Sequence, residues 1–190
     1  MRRLALPTFA CGIVLLTACG GGSGFSGSTA SDAPQVVVLS AGTNGQAQDF
    51  EIAPGGTAPL AVAATAYTGT GITPNVVVDA TFTWAARYVN PLTDPPSVAT
   101  YTVGSAPNAF KTCPPIPKTL PPVPILQQFG TGAAATGYPG YTLMPATATA
   151  NQVFLGAVPG VPAPYCLEIV ATAVKNGTVG AHTVIVSQSP

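Results

Sequence analysis

Twelve of the chain's 21 prolines fall between residues 104 and 164. They stand at positions 107, 114, 115, 117, 121, 122, 124, 139, 145, 159, 162 and 164. Proline lacks a backbone N–H and has a fixed φ, so it breaks helix interiors and is confined to strand edges or ends. Proline at this density excludes a helix and a continuous central strand. It predicts long loops and polyproline II segments, with short edge strands near Tyr141–Met144 and Gln152–Ala157.

On either side of this stretch the residues alternate. Val36-Val37-Val38-Leu39 is a β-branched run, followed by a turn signal at Thr43-Asn44-Gly45-Gln46 and by alternating Phe50 and Ile52. Pro54-Gly55-Gly56 turns the chain again. Leu60, Val62, Ala64 and Ala66 then alternate with Ala61, Ala63, Thr65 and Tyr67. In the next strand, a period of two puts Phe82, Trp84, Ala86 and Tyr88 on one face and Thr81, Thr83 and Ala85 on the other. Toward the end, Tyr165 to Lys175, Asn176-Gly177 and Thr178 to Ser187 predict a tight hairpin with Lys175 opposite Thr178. That register sets Leu167, Ile169 and Ala171 on the face of Val186, Val184 and His182, with Cys166 and Glu168 turned away. There is no amphipathic helix and no internal repeat. Many short strands separated by turns predict an all-β antiparallel sandwich over residues 35–190.

The N-terminal segment carries an address. Arg2 and Arg3 precede an uncharged, largely apolar run from Leu4 to Ala18, which has signal-peptide proportions and is too short to span a bilayer comfortably. The run ends Leu16-Thr17-Ala18-Cys19 and is followed by Gly20-Gly21-Gly22-Ser23-Gly24. This resembles the lipobox of bacterial lipoprotein precursors. The resemblance implies that residues 1–18 are a leader cut before Cys19. It also implies that the Cys19 thiol takes a diacylglycerol through a thioether and that the new amino group is acylated. Residues 19–34 would be the lipid anchor and a flexible Gly/Ser tether reaching about 20 Å on average. An ordinary secretory signal, with Cys19 merely near the cut, is the plain alternative. With Gly20 rather than an aspartate after the cysteine, the sorting pattern of Gram-negative lipoproteins implies the outer membrane.

Without the leader, four basic side chains face six acidic ones, a net charge of −2. Charged residues are 6% of the chain, against about 25% in ordinary globular proteins. No basic stripe exists, so a nucleic-acid partner is not expected.

The flanks of the proline-rich stretch resemble bacterial Ig-like (Big) domains. The resemblance rests on Thr81-Phe82-Thr83-Trp84 with Pro96-Ser97-Val98-Ala99-Thr100, and on Pro54-Gly55-Gly56-Thr57 before Leu60–Ala66. Ile169-Val170-Ala171-Thr172-Ala173 and Thr183-Val184-Ile185-Val186 match the closing strands. It implies an Ig-like sandwich covering about residues 35–103 and 163–188, with an insertion at about 104–164 where such domains have a short strand pair.

With Cys19 spent on lipid, Cys113 and Cys166 remain as a pair in an oxidising compartment, and a disulfide is expected. It would staple the insertion to the strand that begins at Cys166. Neither cysteine belongs to a CxxC motif and His182 is the only histidine, so no metal or cofactor is expected.

Candidate sites are sparse. His182 lies in an apolar strand, and no GxSxG motif accompanies it. Asp49 and Glu51, two apart on one strand face, could serve a calcium ion or a glycosidase-like pair, but a solvated strand edge explains them as well. Asp94 in Asn90-Pro91-Leu92-Thr93-Asp94-Pro95 suits a turn cap. Trp84 suits a sandwich core. Tyr138 and Tyr141, in Gly137-Tyr138-Pro139-Gly140-Tyr141, are candidates for an exposed ligand contact, with loop anchoring as the plain alternative. The expectation is a non-enzymatic, lipid-anchored envelope protein for protein interaction, adhesion or structural support. One alternative is a carbohydrate-binding module using Tyr138, Tyr141 or Trp84. A second is a hydrolase using His182, Glu168 and another acid.

Overall fold

The computed structural model describes residues 33–42, 50–52, 58–68, 75–102, 110–118 and 120–187. Cys19, the tether up to residue 32, Asp49 and the turn signals at Asn44-Gly45 and Pro54-Gly56 lie outside the described residues.

The described chain is all β-structure. Its strands are β1 (Val36–Ala41), β2 (Glu51–Ile52), β3 (Leu60–Thr68), β4 (Asn75–Val76), β5 (Phe82–Tyr88), β6 (Thr100–Thr102), β7 (Phe110–Thr112), β8 (Ile125–Gln128), β9 (Tyr141–Leu143), β10 (Gln152–Leu155), β11 (Tyr165–Ala173) and β12 (Val179–Val186). One sheet runs β1-β3-β10-β8-β9, with β4 beside β3, and the other runs β2-β12-β11-β5. β6 and β7 form a separate hairpin. All pairings are antiparallel except β2 with β12. Strands β1, β3, β10 and β8 take the A-B-E-D order of an immunoglobulin-type sandwich, and β5, β11 and β12 take its C-F-G order.

The core lies between the inner faces. Val62, Ala66, Val153 and Leu155 of the first sheet meet Leu167, Ile169, Val184 and Val186 of the second. The predicted faces of β5 are found, with Phe82 buried and Trp84, Ala86 and Tyr88 packed against the core. Trp84 also donates its indole N–H to the Ala150 carbonyl at 2.8 Å, so its polar tip is satisfied where its ring packs.

The closing hairpin departs from the predicted register. Leu167 lies opposite Val184, not Val186, and Ala173 N–H donates to the Thr178 carbonyl at 2.8 Å. The turn is therefore Val174–Gly177, and only Gly177 takes a left-handed φ, 74°. A type I′ turn needs φ above zero at both central residues. Asn176 instead uses its side chain, accepting from Thr178 N–H and donating to the Pro34 carbonyl. Each residue's partner moves by two places, so every side chain keeps its predicted face.

The proline-rich stretch also departs from expectation. β10 is not an edge strand: it pairs with β3 on one side and β8 on the other. The stretch supplies β7 to β10, and no proline lies within any of these strands. Pro124 immediately precedes β8, and Pro145 follows β9 by two residues, so the prolines punctuate the ladder without interrupting it.

Candidate functional site

The outer face of the second sheet carries a second, smaller core. Cys166, which alternation turns away from the sandwich interior, joins Cys113 in a disulfide with a Cα–Cα distance of 5.7 Å. Around the bridge pack Val89, Ala99 and Ile185, with Val98 and Tyr101 at the margin. Cys113 follows β7 directly, so the bridge holds the β6–β7 hairpin against β11. Two hydrogen bonds brace the same junction. Cys113 N–H donates to the Ala99 carbonyl at 2.8 Å, and the Thr183 hydroxyl donates to the Val98 carbonyl at 2.7 Å.

This bracing leaves a cleft of about 280 Å³ between the hairpin and the β11–β12 ladder. Ser97, Thr100, Tyr101 and Phe110 line one side, and Glu168 and His182 border the other. Phe110 stands at 71% exposure. The Thr100 hydroxyl is turned back to the Pro96 carbonyl at 2.9 Å.

Behind the cleft, one guanidinium joins two carboxylates. Arg87 Nε donates to Glu168 at 2.6 Å, and its Nη1 donates to Asp94 at 2.9 Å. Asp94 also accepts from Asn90 N–H at 2.7 Å, the turn-capping role expected of it. The Arg87 bond, reinforced by the Asn90 N–H, holds the Asp94 carboxyl below the usual carboxylate range.

His182 is engaged elsewhere. Its ring stacks on Phe50 with centroids 3.5 Å apart, and its Nδ1 lies 2.9 Å from the Thr183 carbonyl. A carbonyl can only accept, so Nδ1 carries the proton in the neutral ring. Burial holds the imidazole below its ordinary value, against the upward pull of that carbonyl. His182 lies opposite Ile169 and Glu168 opposite Thr183, so the two point to opposite faces of the ladder. Glu168 is the one acid bordering the cleft among the described residues. The grouping of His182, Glu168 and a second acid that a hydrolase reading needs is not assembled there.

Tyr138 is a correction. It is 4% exposed, and its hydroxyl donates to the Ala157 carbonyl at 2.7 Å, so it anchors its loop and does not offer a contact face. Burial raises its hydroxyl pKa. The physical reason is the phenol ring, which the loop can bury because its polar end finds a carbonyl inside. Tyr141 is half-buried and set edge-on against Phe154, with centroids 5.1 Å apart. Glu51 lies in β2, whereas its proposed partner Asp49 falls outside the described residues. Among the described residues no group of three or more His, Cys, Asp and Glu could hold a metal ion.

Sequence reasoning missed the cleft residues Tyr101 and Phe110. Their available signal was the pair of short Thr-flanked aromatic runs, Thr100-Tyr101-Thr102 and Phe110-Lys111-Thr112, which pair across the hairpin.

Fold and site together define an immunoglobulin-type β-sandwich with a disulfide-braced cleft on one outer face. No family model, curated protein or solved structure matches the chain.

Proposed function

We propose that this is a lipid-anchored protein of the bacterial cell envelope, tethered through Cys19, whose Ig-like domain serves binding or structural support without catalysis. The observation that carries it is Leu16-Thr17-Ala18-Cys19 after an uncharged apolar leader and before a Gly/Ser run. A single acyl chain holds a protein only marginally at a membrane, whereas the multiple chains of a lipoprotein anchor it stably. The Cys113–Cys166 disulfide supports an exported chain, because the cytosol keeps thiols reduced. The A-B-E-D and C-F-G strand order supports kinship with bacterial Ig-like domains.

The test is metabolic labelling with palmitate in a bacterial host. The wild-type chain is expected to take label and to sediment with membranes. Cys19→Ser is expected to lose the label and remain an uncleaved precursor. A Cys19→Ser chain that still labels overturns the anchor.

A further inference from the structure

We infer that the cleft between the β6–β7 hairpin and the β11–β12 ladder binds one unit of a neutral saccharide. This goes beyond the envelope anchor and does not depend on Cys19. Among the described residues, the cleft is lined by residues 97, 98, 100, 101, 110, 168 and 181–183.

The first argument is rigidity. A loose hairpin would lose binding energy to ordering when a ligand arrived. Here the hairpin is held by the Cys113–Cys166 bridge, by Cys113 N–H to Ala99 and by the Thr183 hydroxyl to Val98. The base of the hairpin, from which the cleft wall rises, is therefore set before any ligand enters.

The second argument is size. About 280 Å³ lies just below the range of roughly 300–1,000 Å³ typical of small-molecule sites, enough for one or two rings and not for a folded segment.

The third argument is chemistry. Glu168 gives one carboxylate oxygen to Arg87, and the other remains open as an acceptor. Ser97 makes no hydrogen bond among the described residues, and its hydroxyl can both donate and accept. Thr100 has used its proton on Pro96 and keeps lone pairs only. A ligand suited to this set both donates and accepts, as hydroxyl groups do. An anion meets the Glu168 carboxylate and, among the described residues, no lining cation, since Arg87 is already shared between Glu168 and Asp94. An ammonium can donate but cannot accept from Ser97. Phe110 then supplies aromatic surface for the C–H face of a sugar ring, while Tyr101, paired with Lys111 and not with Phe110, turns to the disulfide core and closes the floor. Phe110, at 71% exposure, gains the most from being covered.

The measurement is saturation-transfer NMR on the purified full chain. The probes are a panel of neutral hexoses, N-acetylhexosamines and their disaccharides, with choline as a cationic probe and acetate as an anionic one. At least one neutral sugar is expected to receive transfer. Phe110→Ala, which removes an exposed side chain, is expected to weaken that sugar's affinity about tenfold while leaving the thermal midpoint unchanged. Ser97→Ala is expected to weaken it by a smaller factor. Phe129→Ala, at a still more exposed aromatic (83%) that does not line the cleft, is expected to bind as wild type. The inference is overturned by no transfer to any sugar, by transfer to choline alone, or by sugar binding indifferent to Phe110→Ala. An anchor that fails the Cys19→Ser test leaves all these outcomes unchanged.

Discussion

The two sheets of the sandwich share one core but are encoded differently. The second sheet draws β5, β11 and β12 from long alternating runs that place one residue in two inward. The first draws β8, β9 and β10 from a stretch where proline recurs every few residues. Yet Leu155 in β10 and Leu167 in β11 are both fully buried in the same core. A ladder needs N–H groups only at the positions it pairs, so proline density misleads when its spacing is ignored. Residues 125–138 and 146–158 contain no proline, and these windows hold β8 and β10.

The largest expected effect comes from cutting the link between the two. Cys113 lies in the proline-rich stretch and Cys166 in the second sheet, with a sequence separation of 53. Closing a loop of that length constrains the unfolded chain by about 4 kcal/mol in the chain-entropy model. The double variant Cys113→Ala, Cys166→Ala is therefore expected to lose about that much in a urea melt. A loss below about 1 kcal/mol would show that strand pairing alone holds the stretch in place.

Much of the second sheet was legible. Its faces followed from the period of two in Phe82–Tyr88 and Tyr165–Ala173, and the disulfide followed from the cysteine count. The register of the hairpin did not, because Asn176 can satisfy either a type I′ turn or a wider loop. In the wider loop its side chain also meets a distant partner, the Pro34 carbonyl, which no local pattern announces. The cleft was not legible either. It arises where Val98, Thr183 and Cys113 meet across three segments, and no local pattern announces such a junction.

A matched pair of truncations sharpens the comparison between the sheets. Leu155→Ala and Leu167→Ala remove the same atoms from opposite sides of one core, and both leucines are 0% exposed. Each is expected to cost about 3 kcal/mol, through lost burial and the cavity left behind. Denaturant melts of the two variants should agree within about 1 kcal/mol. A Leu155→Ala cost far below that of Leu167→Ala would make the proline-rich stretch a covering layer and not a true half of the sandwich.

The smallest effect separates the sheets by acid. His182 belongs to the second sheet, and burial against Phe50 holds its ring below the ordinary histidine value of 6.5. Unfolded, the ring titrates near 6.5, so between the two values the unfolded chain binds more protons. The stabilisation is thus fully present above that pH and is lost as pH falls through the folded value. Glu168, across the ladder, already has Arg87 as its partner and turns to the other face. The protonated ring would also lie stacked on Phe50 in a poorly solvated place. Acidification from about pH 7 to about pH 5.5 should speed amide exchange in β2 and β12, corrected for intrinsic rates, and leave β8 and β10 unchanged. His182→Leu should abolish the difference. An acid response of equal size in β8 and β10 would mean that the two sheets open together, and that their different encoding leaves no trace in how they come apart.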